Sequence, residues 1–224
     1  DAAGPRQLLF VVPPKYVLTV QEALGAVGYI NRCAHQLPKT LPRHFVLAAW
    51  VLHERFLGRR DSLWRLWLET LPALEPTTLW EADELALLED ERAVQRTAAL
   101  RRQHMAEYDS MVRVLLDECG LEDDLPPGTR RPGLAEYIWA LAVVHRHAWH
   151  FASDFPVLVP LSLRFSVGGS CDVLEWGDEK DPGAALYVGA ETGPLVAGDE
   201  VSGWAEDADN LELLLRAGYV WDNL

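Results

Sequence analysis

The sequence predicts an α+β fold whose strands form several small sheets. Three observations carry this. Long helix-like segments fill the first two thirds of the chain. After about residue 151 the pattern changes to short strand-like runs split by Gly, Pro and Asp. An isolated strand-like run stands near the start, where Val11 and Val12 precede Pro13 and Pro14.

In chain order, LLFVVPPKYVLT (8–19) reads as a short strand closed by its two prolines. TVQEALGAVGYI (19–30) reads as a short helix, with Thr19 as cap and Glu22 at the reciprocal position. LPRHFVLAAWVLHERFLG (41–58) has an early Pro42, a strongly apolar centre and a closing Gly58. It is apolar nearly all round from Phe45 to Leu52, which predicts a buried helix. SLWRLWLETLP (62–72) is a second short helix, stopped by Pro72.

The stretch 77–120 reads as mostly helical, with a capping box at Thr78 and Glu81 and a stop at Gly120. Its apolar stripe runs through Leu85, Leu88, Val94, Ala98, Met105, Tyr108, Met111, Val112, Leu115 and Leu116. Segment 121–133 is a polar loop rich in Pro and Gly, and 134–151 reads as another buried helix. Strand-like runs follow at VLVPLSLRFSVGG, SCDVLEWG, AALYVGAETG and EVSGWA, and a short helix, DNLELLLRAG, precedes the end.

Composition narrows function. The 224 residues are 49% hydrophobic and 24% charged, enough apolar surface for one domain with a real core. A net charge of −14 argues against a nucleic-acid surface over the whole molecule. Arg92, Arg96, Arg101 and Arg102 form a local basic group, read as an exposed helix face. No run of 18 apolar residues is present, so no transmembrane segment is expected, and the N-terminus lacks the pattern of a secretory signal. Cys33, Cys119 and Cys171 form no C-x-x-C pair, which excludes a cysteine-based zinc cluster. Sparse cysteines fit a reducing compartment, with the thiols acting as small buried apolar groups.

Other constellations are weak. His145, His147 and His150 contain only one usable metal pair, His147 and His150, and read as capping or surface residues. Ser166, Ser170 and Cys171 lack a nucleophile elbow. No metal site is expected.

The order of segments resembles the SET-domain proteins of the Rubisco large-subunit methyltransferase branch, which includes the actin-histidine methyltransferase. The resemblance rests on LLFVVPPKYVLT, LAAWVLHERFLGRRDSLWRLWLETLP, TTLWEADELALLED, YIWALAVVHRHAWHF, VLVPLSLRFSVGG and AGDEVSGWAEDADNLELLLRAGYVWDN, in that order. It implies one SET-like domain. Its N-terminal SET part would be 8–40, a large helical insertion 41–133, and its C-terminal SET part 134–224. It also implies S-adenosylmethionine as the family's cofactor and methyl transfer to a side-chain amine as its chemistry. That chemistry needs geometry and desolvation more than an acid–base pair.

The same resemblance shows where this chain departs. The family's cofactor-holding asparagine and histidine fall at Ser166 and Val167, and the preceding aspartate at Leu163. The tyrosines that shape the substrate channel fall at Trp204 and Ala217, and Tyr219 stands where a phenylalanine would. The family's arginine falls at Arg146 or, with the frame slipped by one, at His147. DAAG is not the glycine-rich cofactor segment, which was either lost or lies upstream of residue 1. Losing buried hydrogen-bond partners at about four positions, at roughly 1–3 kcal/mol each, is a large deficit in cofactor affinity.

Three functions follow as expectations. The first is a degenerate, inactive SET-like protein that binds no cofactor and serves as a structural subunit among other proteins. The second is an active S-adenosylmethionine-dependent protein-lysine or protein-histidine methyltransferase with a divergent pocket. The third is a module that holds a peptide in the former substrate groove. The resemblance implies the chloroplast as compartment, with the cytoplasm as the alternative.

Overall fold

Pro13 fixes where the first strand stops, because it has no N–H to extend a ladder. The computed structural model describes residues 7–26, 36–56, 62–119, 127–128, 130–151, 155–160, 166–171, 173–176, 184–188, 202–203, 210–218 and 220. In it β1 spans Gln7–Val12, and Pro14–Tyr16 forms a single 3-10 turn before β2, Leu18–Thr19. The helices are α1 (Val20–Ala26), α2 (Arg43–Phe56), α3 (Leu63–Glu69), α4 (Ala82–Ala86), α5 (Glu91–Glu107), α6 (Arg113–Asp117), α7 (Leu134–His147) and α8 (Asn210–Ala217). The later strands are β3 (Ala148–Phe151), β4 (Phe155–Leu158), β5 (Ser166–Cys171), β6 (Val173–Trp176), β7 (Ala184–Val188) and β8 (Ser202–Gly203). Small sheets and a block of helices make up the α+β architecture that the sequence predicts.

The chain divides into two compact units. One comprises residues 1–19 and 147–208, the other 20–146 and 209–224. The first unit holds the sheets. β1, β7 and β6 form an antiparallel sheet in that order, with Val11 opposite Ala185 and Leu174 opposite Leu186. β2, β4 and β3 form a second, in which Leu18 and Ala148 flank Leu158 on either side. β5 and β8 pair in parallel. Val12, Val17, Leu18, Val157, Leu158 and Val159 are buried.

The second unit is built around α2 and α7. All residues from Phe45 to Leu52 are buried, as the unbroken apolar run predicts. Tyr137, Ile138 and Ala140 to Val144 do the same for α7. Each such Leu, Val or Phe contributes about 1.5–3 kcal/mol by leaving water. Phe45 meets Tyr137 edge to face at 6.3 Å. Trp64 of α3 packs edge-on against Trp50 and Trp67, at 4.8 and 5.7 Å. The Ser62 hydroxyl before α3 donates to Glu54 of α2 at 2.8 Å.

The segment 77–117 differs from its sequence reading in three ways. Thr77–Leu79 is a 3-10 turn, and the capping box lies one turn later: Glu81 caps α4, and its N–H donates to Glu84 at 2.6 Å. The helix then breaks, with Glu89 at φ 51°, and restarts at Asp90, whose carboxylate accepts from the N–H groups of Arg92 and Ala93. The buried face of α5 is Ala93, Thr97 and His104, not Val94, Ala98 and Met105, and Met105 is 52% exposed. Tyr108–Val112 forms a π turn, whose extra residue shifts the phase so that Met111, Val112, Leu115 and Leu116 become buried.

Three further expectations change. Residues 148–151 are strand rather than helix, because they pair antiparallel with β4. Arg101 does not lie on an exposed face: it turns inward to bond the carbonyls of Thr77, Thr78 and Trp80. Cys119 is buried and disulfide-bonded, so it is not the free thiol expected. Gly120 and most of the loop 121–133 lie outside the described residues.

Candidate functional site

In the sheet unit, β5 carries Ser166 and Val167, two of the positions named from the resemblance, and pairs with β8. Ser166 stands opposite Ser202 and Val167 opposite Gly203, in parallel register. The register shifts between Val167 and Cys171, the stretch that holds Gly168 and Gly169. The backbone therefore brings the Ser166–Val167 segment alongside the segment that leads into Trp204. Trp204 and Tyr219 lie outside the described residues, as does Leu163.

In the helical unit, Arg146 and Ala217 are described. Arg146 lies in the last turn of α7 and is partly buried. Ala217 ends α8 and is 1% exposed. Gly218 follows at φ +72°, the left-handed conformation that glycine supplies at a helix C-terminus. Its N–H donates to the Leu214 carbonyl at 3.2 Å. A Cβ there would lie 2.7 Å from the Glu75 carbonyl carbon and 2.8 Å from the Pro76 nitrogen. The end of α8 is thus set tightly against residues 75–76, and Ala217 presents a buried methyl where the family resemblance puts a tyrosine.

Comparison with solved structures is decisive for the fold. A SET domain of LSMT bound to lysine and AdoHcy matches with a TM-score of 0.70 and 17% identity, covering 99% of this chain and 49% of that one. The chain has the SET-domain fold. Rubisco LSMT bound to sinefungin and monomethyllysine matches at TM-score 0.68 and 18% identity, covering 96% of this chain and 47% of the other. Rubisco LSMT bound to AdoMet matches at 0.68 and 17%, with the same coverage. The chain spans about half the length of these solved chains. No family model and no curated protein matches it.

Among the described residues, no group of three or more His, Cys, Asp or Glu is placed to hold a metal ion. His147 ends α7 and His150 lies in β3, so they do not share a helix face. Neither His145 nor His147 is a surface residue: His147 is 4% exposed, and burial pushes the His145 pKa down to about 3.

The structure also reveals a cluster that sequence spacing did not: His44, His104, Glu107, Tyr137, His145 and Arg216. Burial pulls the Glu107 pKa up, but hydrogen bonds from His44, Gln103 and Tyr137 outweigh it and hold the carboxyl down at about 2. Burial and the neighbouring Glu107 push the Tyr137 hydroxyl well above its ordinary value. His44 and His104 sit inside otherwise helical text, at RHFVL and RQHMAE. His104 lies off the apolar stripe read from the sequence, so periodicity gave no signal for it.

Proposed function

We propose that this SET-fold chain does not transfer methyl groups and serves as a structural subunit of a protein assembly. The observation that carries the reading is Ala217. Where the resemblance puts a channel tyrosine, the chain places a buried methyl at the end of α8. A methyl offers no hydroxyl to orient an amine. Ser166 and Val167 support the same reading by identity, since valine has no side-chain hydrogen bond to give a cofactor. The retained parts are backbone parts: the parallel β5–β8 pair and the glycine-capped α8. A retained frame with polar groups missing suits a protein used for its shape.

The alternative reading is an active methyltransferase that holds S-adenosylmethionine through main-chain groups of β5. One observation favours it: the solved SET structures that resemble this chain bind AdoMet, AdoHcy or sinefungin, and β5 lies beside β8 as a cofactor cradle would require. Calorimetry with S-adenosylmethionine on the full-length protein separates the two. No heat at millimolar cofactor is the expected result, and partner identification by co-purification then follows. Binding in the micromolar range overturns the subunit reading and makes a methylated lysine or histidine the object to find.

A further inference from the structure

One hydroxyl of the helical unit stands just after a basic pair. Three Arg–Arg pairs occur in the chain, at 59–60, 101–102 and 130–131. Two residues after the second pair stands His104, and two after the third stands Gly133. The first pair alone is followed by a hydroxyl at that spacing, in Arg59-Arg60-Asp61-Ser62-Leu63. The other pairs are also engaged within the fold: Arg101 bonds the carbonyls of Thr77, Thr78 and Trp80, and Arg130 and Arg131 pair with Glu136 and Asp117. Ser62 is half-buried, with extended backbone at φ −64° and ψ 129°, and Leu63 beside it is 46% exposed. Ser62 immediately precedes α3 but makes no side-chain capping bond to it. Its hydroxyl instead donates to Glu54 Oε2 of α2 at 2.8 Å.

We propose that Ser62 is a phosphorylation site for an arginine-selecting protein kinase, and that its phosphorylation opens the start of α3 from α2. A kinase whose substrate groove carries carboxylates holds arginines two and three residues before the serine through charge-assisted, often bidentate bonds. Arg60 and Arg59 occupy those two places, and Leu63 offers an exposed apolar side chain at the next residue. ATP is the co-substrate. The Ser62 oxygen attacks the γ-phosphorus as its proton passes to the kinase's catalytic aspartate. The Oγ–P bond forms, the bond from the γ-phosphorus to the β–γ bridging oxygen breaks, and ADP leaves.

The contact with Glu54 sets the consequence. An ester oxygen has no proton to donate, so the 2.8 Å bond is lost. In its place about 1.5–2 negative charges face a carboxylate, which disrupts by repulsion. The N-terminus of α3 attracts the phosphate with roughly half a charge, whereas Glu54 repels it with a whole one from hydrogen-bond range. Arg65 of α3 already pairs with Glu69, and Arg55 at the end of α2 lies over the Trp139 ring at 3.9 Å. Trp64, in the first turn of α3, is partly exposed and meets Trp50 of α2 edge-on at 4.8 Å. Trp67 and Leu68, one turn later, are buried. The first turn of α3 therefore lifts while the second keeps its seat.

Incubating the folded full-length chain with the catalytic subunit of cyclic-AMP-dependent protein kinase, ATP and Mg2+ tests this. Peptide mapping by tandem mass spectrometry should find phosphate on Ser62, and none at that peptide in Ser62→Ala. An Arg59→Ala/Arg60→Ala variant should lose at least about 10-fold in kcat/KM for the kinase. Hydrogen exchange of the phosphorylated chain should show protection of residues 63–66 falling about 10-fold relative to α7. In phosphorylated Glu54→Gln the fall should be smaller, because the repelling charge is gone. Absence of phosphate from Ser62, phosphorylation of the urea-unfolded chain alone, or an unchanged kcat/KM without the two arginines overturns the site. Unchanged protection of 63–66 in the phosphorylated chain, or an equal fall in Glu54→Gln, overturns the opening of α3.

Discussion

Replacing Gly218 by alanine tests the seating of α8, and two other glycines supply its controls. At Gly218 an added methyl meets two penalties. The φ of +72° disfavours a Cβ by about 1–2 kcal/mol. The Cβ also lands 2.7–2.9 Å from three backbone atoms of Glu75 and Pro76, which cannot swing aside as a side-chain tip would. Forced overpacking of this kind costs about 1–3 kcal/mol. The sum is roughly 2–5 kcal/mol. Gly128 shares the positive φ, at +81°, but has nothing within 4 Å of its Cβ, so Gly128→Ala isolates the backbone penalty of about 1–2 kcal/mol. Gly25 lies in α1 with neither feature, and Gly25→Ala should stabilise by about 0.5–1 kcal/mol. Urea unfolding followed by far-ultraviolet circular dichroism ranks the three. If Gly218→Ala costs no more than Gly128→Ala, the close approach of α8 to residues 75–76 is wrong, and with it the account of how Ala217 is buried.

Three more outcomes are expected. Thr77 and Thr97 are fully buried and share a hydrogen bond of 2.8 Å, so either Thr→Val change alone should cost about 1–3 kcal/mol by orphaning its partner. The double Thr→Val variant should recover part of that in a thermal-unfolding double-mutant cycle, and additive losses would refute the pairing. Asp90→Ala removes the α5 cap and should cost about 1 kcal/mol in the same assay. Glu107 is held at about 2, below its ordinary 4.5, so it stabilises the fold above about pH 4.5 and that contribution fades as the pH falls toward 2. Glu107→Gln should flatten this limb of the acid-unfolding curve, and an unchanged limb would assign it to other carboxylates.

The elements legible in the sequence were those whose signal is local. α2 and α7 each carry a near-unbroken apolar run, and a helix apolar on all sides has one place to go. The Pro13–Pro14 stop and the Gly218 cap work through one residue's dihedral preferences, so they too can be read from text. The misses share the opposite character. The π turn at Tyr108–Val112 changes the helical phase without any breaker residue, so a stripe counted at constant period names the wrong face of α5. That true face, Ala93, Thr97 and His104, carries two polar residues, one of them bonded to Thr77, and hydropathy cannot see such a face. β3 looked helical because its character comes from pairing with β4 rather than from its own residues. Ser166, Val167 and Trp204 could be named from a resemblance, but only the β5–β8 register shows that the first two stand beside the approach to the third.

That division explains how 17% identity coexists with a TM-score of 0.70. A parallel ladder, a left-handed glycine and two all-apolar helices are satisfied by backbone bonds and by side-chain bulk, and many sequences meet them. Holding a sulfonium cofactor and a neutral amine is less forgiving, because each buried donor that finds no partner subtracts from binding directly. Substitution therefore erodes a SET site sooner than a SET frame. The frame in this chain is intact where it is described, while Val167 and Ala217 have no polar side-chain atom to offer. Among the described polar side chains of the helical unit, Thr77 bonds Thr97 and Tyr137 bonds Glu107, so these groups serve the frame.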